Sequence, residues 1–252
     1  MNEPLLELIN ISYVYPGKIQ ALNRVNLKIY RNTITAIIGP NGSGKTTLLL
    51  ICSGLLKPTE GKVLYKGQDL FEQIPLIRRE IGIVFQDPDD QIFNLTVFDE
   101  IAFGLKQLRL PESEIRKKVE EVTKFLEISH LLQRSPFNLS YGEKKIIVLA
   151  AILVLSPNIL ILDEPTANVG GHFKRKIFDI IYSYKKQGKT VIFASHDILF
   201  TLRVADYIYF LNNGKIIAKG PKDEVKKKPD LFEKAGLESP NEILRMFHEI
   251  FK

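Results

Sequence analysis

The segment Gly39-Pro40-Asn41-Gly42-Ser43-Gly44-Lys45-Thr46-Thr47 constrains this chain more than any other, because it fits a G-x-x-x-x-G-K-[ST] loop in the right setting. Ile34 to Ile38, before it, is a short apolar run that reads as a buried strand, and Lys45 to Cys52, after it, reads as the start of a helix. Glycines let such a loop curl until successive backbone N–H groups converge on phosphate oxygens at a helix N-terminus, where the helix dipole also favours negative charge. Lys45 is placed to reach the β- and γ-phosphates, and Thr46 to offer its hydroxyl to a Mg²⁺ ion bridging them. Gly39, Asn41, Gly42, Ser43, Gly44, Lys45, Thr46 and Thr47 are therefore the expected nucleotide cradle. The plainer alternative is a glycine turn between strand and helix that binds nothing.

The rest of the chain supplies a fold for that loop. Leu5 to Val14 and Val25 to Ile29 are β-patterned, making the opening lobe β-rich, and Gly54 and Pro58 close the helix after the loop. Ile81 to Phe85 is a further buried-strand candidate. Ile115, Val119, Val122 and Leu126 then recur at helical spacing, so the stretch from about Asp87 to Leu155 reads as a helical insertion. Strands resume at Ile159 to Leu162 and Thr190 to Ser195, separated by a helical run ending at Gly188. That alternation predicts βαβ units and a largely parallel central sheet.

Composition excludes several classes. A single cysteine, Cys52, allows neither an intrachain disulfide nor a cysteine-rich zinc module, and fits a reducing intracellular setting. The longest apolar run, Ile146 to Leu155, is too short to cross a bilayer, and the N-terminus, with Glu3 and Glu7, lacks a basic-then-apolar leader pattern. The formal charge of +6 could draw nucleic acid or an anionic membrane. Its clusters, Lys185-Lys186 and Lys226-Lys227-Lys228, are short and sit at predicted helix ends, so they read as solvated surface, with no nucleic-acid partner expected.

Three further constellations join the loop. Ile159-Leu160-Ile161-Leu162-Asp163-Glu164 is an apolar strand ending in two acids, at the kind of strand end where ligands bind. Asp163 suits holding Mg²⁺ through its water shell; Glu164, one residue further on, suits deprotonating the water that attacks the γ-phosphate. His196 follows the strand Val191 to Ser195 and should emerge at the same edge, able to meet the γ-phosphate or that water. Leu139-Ser140-Tyr141-Gly142-Glu143 reads as a capping box, which needs no ligand, yet a serine at a helix N-terminus is also an anion site.

Phosphate loop, Gln86 after a strand, Leu-Ser-x-Gly, Leu-Asp-Glu and then His196 is the motif order of ATP-binding-cassette (ABC) ATPases, and the resemblance covers nearly the whole chain. It implies an α/β P-loop NTPase fold with an N-terminal antiparallel β lobe and a helical sub-lobe, about 87–155, carrying the signature. One ATPase domain would span 1–220, with a C-terminal helical extension over 221–252. By the same resemblance, Gln86 sits at the hinge between lobes and touches Mg²⁺, Tyr15 stacks on adenine, and Ser140 and Gly142 bind the γ-phosphate held by the opposite subunit. The active site is then shared across a head-to-tail dimer, with ATP and Mg²⁺ as cofactors. The run Phe85-Gln86-Asp87-Pro88-Asp89-Asp90-Gln91-Ile92-Phe93 and the later Asp99-Glu100-Ile101-Ala102-Phe103-Gly104 resemble ATPase subunits of energy-coupling-factor and cobalt importers. Such subunits drive vitamin or Co²⁺/Ni²⁺ uptake in pairs, peripherally at the cytoplasmic face of the membrane. They sit beneath an integral scaffold subunit, which holds a substrate-binding membrane subunit and docks on the segment from Asp87 to Gly104.

The chain departs from that family at one loop. Where relatives continue Pro-Thr-Ala-Gly-Leu-Asp, it reads Pro165-Thr166-Ala167-Asn168-Val169-Gly170-Gly171, without the acid that helps couple the two ATP sites. Ile146 also replaces an arginine often found after the signature. Either a partner ATPase supplies a complete loop in an unequal pair, or a homodimer turns over more slowly. Ile243, Phe247 and Ile250, at helical spacing between Ser239 and Phe251, suggest a tail that helps pair the ATPases, or one that packs on its own domain. Two other classes stay open: a soluble cassette ATPase acting on nucleic acid or translation, and a weakly hydrolysing ATP-binding half of a heterodimer.

Overall fold

The computed structural model describes residues 3–250. The chain opens with a hairpin, β1 (Leu6–Tyr15) and β2 (Ile19–Ile29). β3 (Ile34–Ile38) runs through the glycine loop into α1 (Lys45–Cys52). β4 (Glu60–Tyr65) and the short β5 (Gln68–Asp69) complete a four-stranded antiparallel sheet in the order β2-β1-β4-β5. α2 (Ile74–Glu80) leads into β6 (Ile81–Val84), and the helical stretch beyond holds α3 (Val97–Gln107), α4 (Glu112–Phe125) and α5 (Tyr141–Leu153). There follow β7 (Ile159–Asp163), α6 (Gly171–Lys186), β8 (Thr190–Ser195) and α7 (Ile198–Val204). The hairpin β9 (Tyr207–Asn212) and β10 (Lys215–Pro221) precedes α8 (Lys222–Val225), α9 (Asp230–Lys234) and α10 (Pro240–Ile250).

The second sheet has six strands in the order β10-β9-β3-β8-β7-β6, parallel throughout except for β10. Its central strands are apolar at nearly every position because both faces are covered, as parallel sheets require. Successive side chains alternate between faces. Leu160, Leu162, Val191, Phe193, Ile208 and Phe210 pack with the helical stretch and α6, α7 and α9. Ile159, Ile161, Ile192, Ala194, Tyr209 and Leu211 pack instead against α1 and the antiparallel lobe. Two cores thus share one sheet.

The expected strands Ile34 to Ile38 and Thr190 to Ser195 are found at those bounds, whereas Val25 to Ile29 extends back to Ile19 through the hairpin. In the tail, Ile243 packs against the core while Leu244 and Met246 are about half exposed. Phe251, and the side chains of Phe247 and Ile250, lie outside the described residues.

Candidate nucleotide-binding site

Four adjacent parallel strands, β3, β8, β7 and β6, point their C-terminal ends to one edge of the sheet. The glycine loop follows β3, His196 follows β8, Asp163 ends β7 with Glu164 next, and Gln86 lies two residues beyond β6. Topology alone therefore gathers motifs spread over some 150 residues of chain.

The loop needs glycine at two points for different reasons. Gly44 caps α1 at φ 102°, a left-handed conformation that side chains resist. Gly39 has ordinary φ, but a Cβ there would lie 2.0 Å from the Leu211 carbonyl oxygen on β9. Lys45, 7% exposed, donates to the carbonyls of Gly39 (2.8 Å) and Pro40 (3.1 Å), and its Nζ stands 3.4 Å from Glu164 Oε1. The Thr46 hydroxyl donates to Asp163 Oδ2 at 2.6 Å. Tyr15 and Thr47 share a hydroxyl–hydroxyl bond of 3.1 Å, and the Tyr15 ring meets Tyr13 edge-on.

Glu164 takes φ 43°, rare for a residue with a side chain. Its Oε2 accepts from the backbone N–H of His196 (3.2 Å) and lies 2.9 Å from His196 Nδ1. The imidazole, itself half exposed and expected to meet the γ-phosphate or the attacking water, stands against the Glu164 carboxylate. Burial pushes the Asp163 carboxyl above its usual range and the Glu164 charge adds to this; the Thr46 hydroxyl and Lys45 oppose it.

Lys45, Thr46, Asp163 and Glu164 line a cavity of about 470 Å³ together with Tyr15, Asn41, Gly42, Gly44, Thr47 and Gln86, whereas His196 does not line it. A second space of about 420 Å³, bounded by Gln86, Tyr141 and Asn168, adjoins it at Thr46 and Asp163. Among the described residues, the buried side-chain atoms without a hydrogen-bond partner are Ser43 Oγ, Asp163 Oδ1, Glu164 Oε1 and Thr201 Oγ1. Three of the four belong to this site, and buried polar atoms are normally satisfied, so the edge is built to receive a polar ligand. A larger open groove of about 800 Å³ beside β2 and β10 is lined by none of the residues expected to act.

Ser140 and Gly142 do not line the cavity. Ser140 caps α5: Glu143 N–H donates to Ser140 Oγ (3.4 Å), while the Ser140 N–H and hydroxyl donate to Glu143 Oε2 (2.9 and 2.6 Å). Gly142 is buried under Phe173 of α6, whose ring would lie 2.5 Å from an added Cβ. Sequence reasoning passed over Lys145. This lysine is 3% exposed and donates to the Glu164 carbonyl at 2.8 Å; burial pushes its ammonium down to about 8 against the pull of Glu164 and Asp163. Helical phase was the available signal, since Tyr141, Lys145 and Leu149 fall on one stripe of α5.

A family model described as ABC transporter matches residues 22–167. The energy-coupling factor transporter ATP-binding protein EcfA1 of Methanospirillum hungatei is 41% identical over 94% of this chain and 86% of its own length. EcfA of Carboxydothermus hydrogenoformans is 39% identical over 97% of this chain and 90% of its own. Among solved structures, cbiO1 of Clostridium perfringens, part of the ABC transporter complex cbiONQ, superposes with a TM-score of 0.82 at 34% identity over the full length of both. A dimeric ATP-binding cassette in a post-hydrolysis state, bound to ADP and Pi, gives 0.78 at 30% identity over 86% of this chain and 98% of its own. The chain belongs to the ABC transporter family, in its branch of energy-coupling factor transporter ATP-binding proteins.

Proposed function

We propose that this chain is the ATP-hydrolysing subunit of an importer of the energy-coupling factor type, taking up cobalt, nickel or a vitamin. The observation that carries this reading is the convergence of Lys45, Thr46, Asp163, Glu164 and His196 at one strand edge, where Asp163 Oδ1 and Ser43 Oγ are buried without a hydrogen-bond partner. Loop N–H groups and Lys45 bind the triphosphate, and Tyr15, on the rim of the cavity, takes the adenine. The residues fit a Mg²⁺ site: Asp163 Oδ1 is free, and the Thr46 hydroxyl and Gln86 line the same cavity. Among the described residues no three His, Cys, Asp or Glu side chains form a metal cage, and Mg²⁺ needs none, since it keeps waters and phosphate oxygens beside one or two carboxylates. Bound there, it would neutralise charge on the phosphates. Glu164 takes the proton of the attacking water, and His196 holds the Glu164 carboxylate in place.

Ser140 and Gly142, outside the chain's own cavity, complete the site of a second ATPase subunit across a head-to-tail dimer. The docking face for a membrane scaffold is the segment 87–104, where Phe93 and Phe103 meet edge-on at 4.8 Å and, with Leu95, stand exposed. Among the described residues no helix is long and apolar enough to cross a membrane; the peripheral seat on the cytoplasmic face is what the family resemblance implies. A second reading, a weakly hydrolysing half of an unequal pair, is favoured by the exposed, acid-free turn at Gly170 and Gly171.

The test is Glu164→Gln in the purified chain. ATP binding should persist while turnover nearly stops; turnover at the wild-type rate would remove Glu164 as the base. Purification from detergent-solubilised native membranes should bring down an integral membrane protein, and recovery of soluble proteins alone would end the importer reading.

A further inference from the structure

Helix α5 does more than present Ser140 and Gly142. Tyr141 and Lys145 stand one turn apart on it, and both reach back into the chain's own site. The Tyr141 hydroxyl donates to the backbone carbonyl of Gln86 at 3.0 Å. Lys145 Nζ donates to the carbonyl of Glu164 at 2.8 Å and reaches that of Ala167 at 3.5 Å; it lies 5.8 Å from the centroid of the Tyr141 ring.

Lysine is almost never fully buried without a partner. Here its hydrogen-bond acceptors are backbone carbonyls of the turn that carries the general base, so its charge is spent on holding that turn. The turn needs holding. Glu164 sits at φ 43°, a conformation that persists only where the surroundings over-determine it. Its carbonyl accepts from Ala167 N–H (3.1 Å) as well as from Lys145, and its own N–H donates to Ala194 on β8 (3.0 Å). The sheet and the turn itself supply two of these three bonds. The third comes from the helical stretch.

We infer that Lys145, seconded by Tyr141, is a positioning residue for hydrolysis, fixing the Glu164 turn and the Gln86 segment to the helix whose N-terminus serves the opposite nucleotide. This rests on the reading of Glu164 as the base and adds to it. A displacement of α5 on meeting a partner's nucleotide would act directly on the backbone of Glu164, so one helix links the two sites with no intervening residue.

The test compares Lys145→Met, Lys145→Arg and Tyr141→Phe with the wild-type full chain by ATP-dependent steady-state kinetics and thermal melting. Lys145→Met should lower kcat by about 10- to 100-fold, the range for losing a group that orients a reactive one, and leave KM for ATP within about twofold. Lys145→Arg, which keeps a buried donor, should recover most of that loss. Tyr141→Phe, which removes only a hydroxyl from a half-buried ring, should lower kcat by a smaller factor at unchanged melting temperature, which keeps the test decisive if Lys145→Met folds poorly. A folded Lys145→Met turning over within twofold of wild type, or losing ATP affinity in step with kcat, overturns the inference. So does Lys145→Arg being as slow as Lys145→Met, or Tyr141→Phe being indistinguishable from wild type where Lys145→Met does not fold. A wild-type chain that hydrolyses no ATP would be recognised before any variant is compared, and would remove the ATPase reading together with this one.

Discussion

Gly170→Asp supplies the acid that the family resemblance implies at this position and separates two effects of its absence. Gly170 is the N-cap of α6, at φ −69° and ψ 166°, with no side-chain capping bond and no acid in the first turn. Any residue adopts that backbone, and a Cβ there meets nothing within 4 Å. Replacing a glycine at a compatible position narrows the unfolded ensemble by about 0.4–1 kcal/mol. Aspartate gains a few tenths of a kcal/mol over glycine as an N-cap, and a carboxylate near a helix N-terminus adds roughly 0.3–1 kcal/mol where no neighbour competes. These contributions overlap, so the net gain is about 1 kcal/mol, or a rise of roughly 2–4 °C in Tm for a chain of this size. Differential scanning calorimetry and ATPase turnover of the purified dimer are the assays. Turnover should rise if the acid couples the sites. A lower Tm would refute the capping argument, since it would mean that the turn requires glycine; a higher Tm with unchanged turnover would leave capping intact and remove the reason to tie this loop to coupling.

Gly39→Ala should destabilise the fold by about 3 kcal/mol or more, beyond ordinary overpacking, because its Cβ would lie 2.0 Å from a backbone oxygen of β9, a strand paired directly with β3; a lowered urea midpoint checks this. Alkaline stability should pass through a maximum near pH 10 as far as Lys145 and three buried tyrosines govern it. Burial lowers Lys145 from 10.5 to about 8, so between those values the unfolded chain binds more protons and stability rises with pH. Tyr209 is pushed by burial from 10.0 to about 12, and Tyr65 and Tyr184 move the same way, so the stability they contribute below pH 10 is lost as pH climbs toward 12. Urea midpoints measured from pH 7 to 12 would trace both limbs, and Tyr209→Phe should flatten the second. In Glu164→Gln, Mg-ATP at 100 times its Kd should raise stability by about 2.7 kcal/mol and Tm by roughly 5–10 °C; an unshifted Tm would mean that the cavity does not bind nucleotide.

The strands that build the sheet were legible because burial on both faces leaves unbroken apolar runs, as in Ile159 to Leu162 and Thr190 to Ser195. β4 and β10 were missed, since polar residues dominate at Glu60 to Lys62 and the apolar run of β10, Ile216 to Ala218, is only three residues long between two lysines. β9 was passed over despite the run Tyr207 to Leu211 and the Asn213-Gly214 turn after it, a hairpin signal in its own right. The site motifs were legible one by one; their assembly was not, because it depends on strand order. Nor does the local sequence announce φ 43° at Glu164 or the contact of Gly142 with Phe173, both set by segments distant along the chain.

Lys144 and Lys145 make the point most sharply, since adjacent residues of one type have opposite fates. One hundred degrees of helical rotation sends Lys144 to Asp89 at 2.7 Å and Lys145 into the interior. The interior it enters already holds Lys45, Asp163 and Glu164, each less than 8% exposed. Two lysines then face two carboxylates, so their attraction offsets part of the cost of burial, which still dominates: the Lys145 ammonium is pushed down and the Asp163 carboxyl up. Lys145 thus directs its hydrogen bonds to the backbone behind Glu164, while Asp163 Oδ1 and Ser43 Oγ are left unpaired for a polar ligand to satisfy.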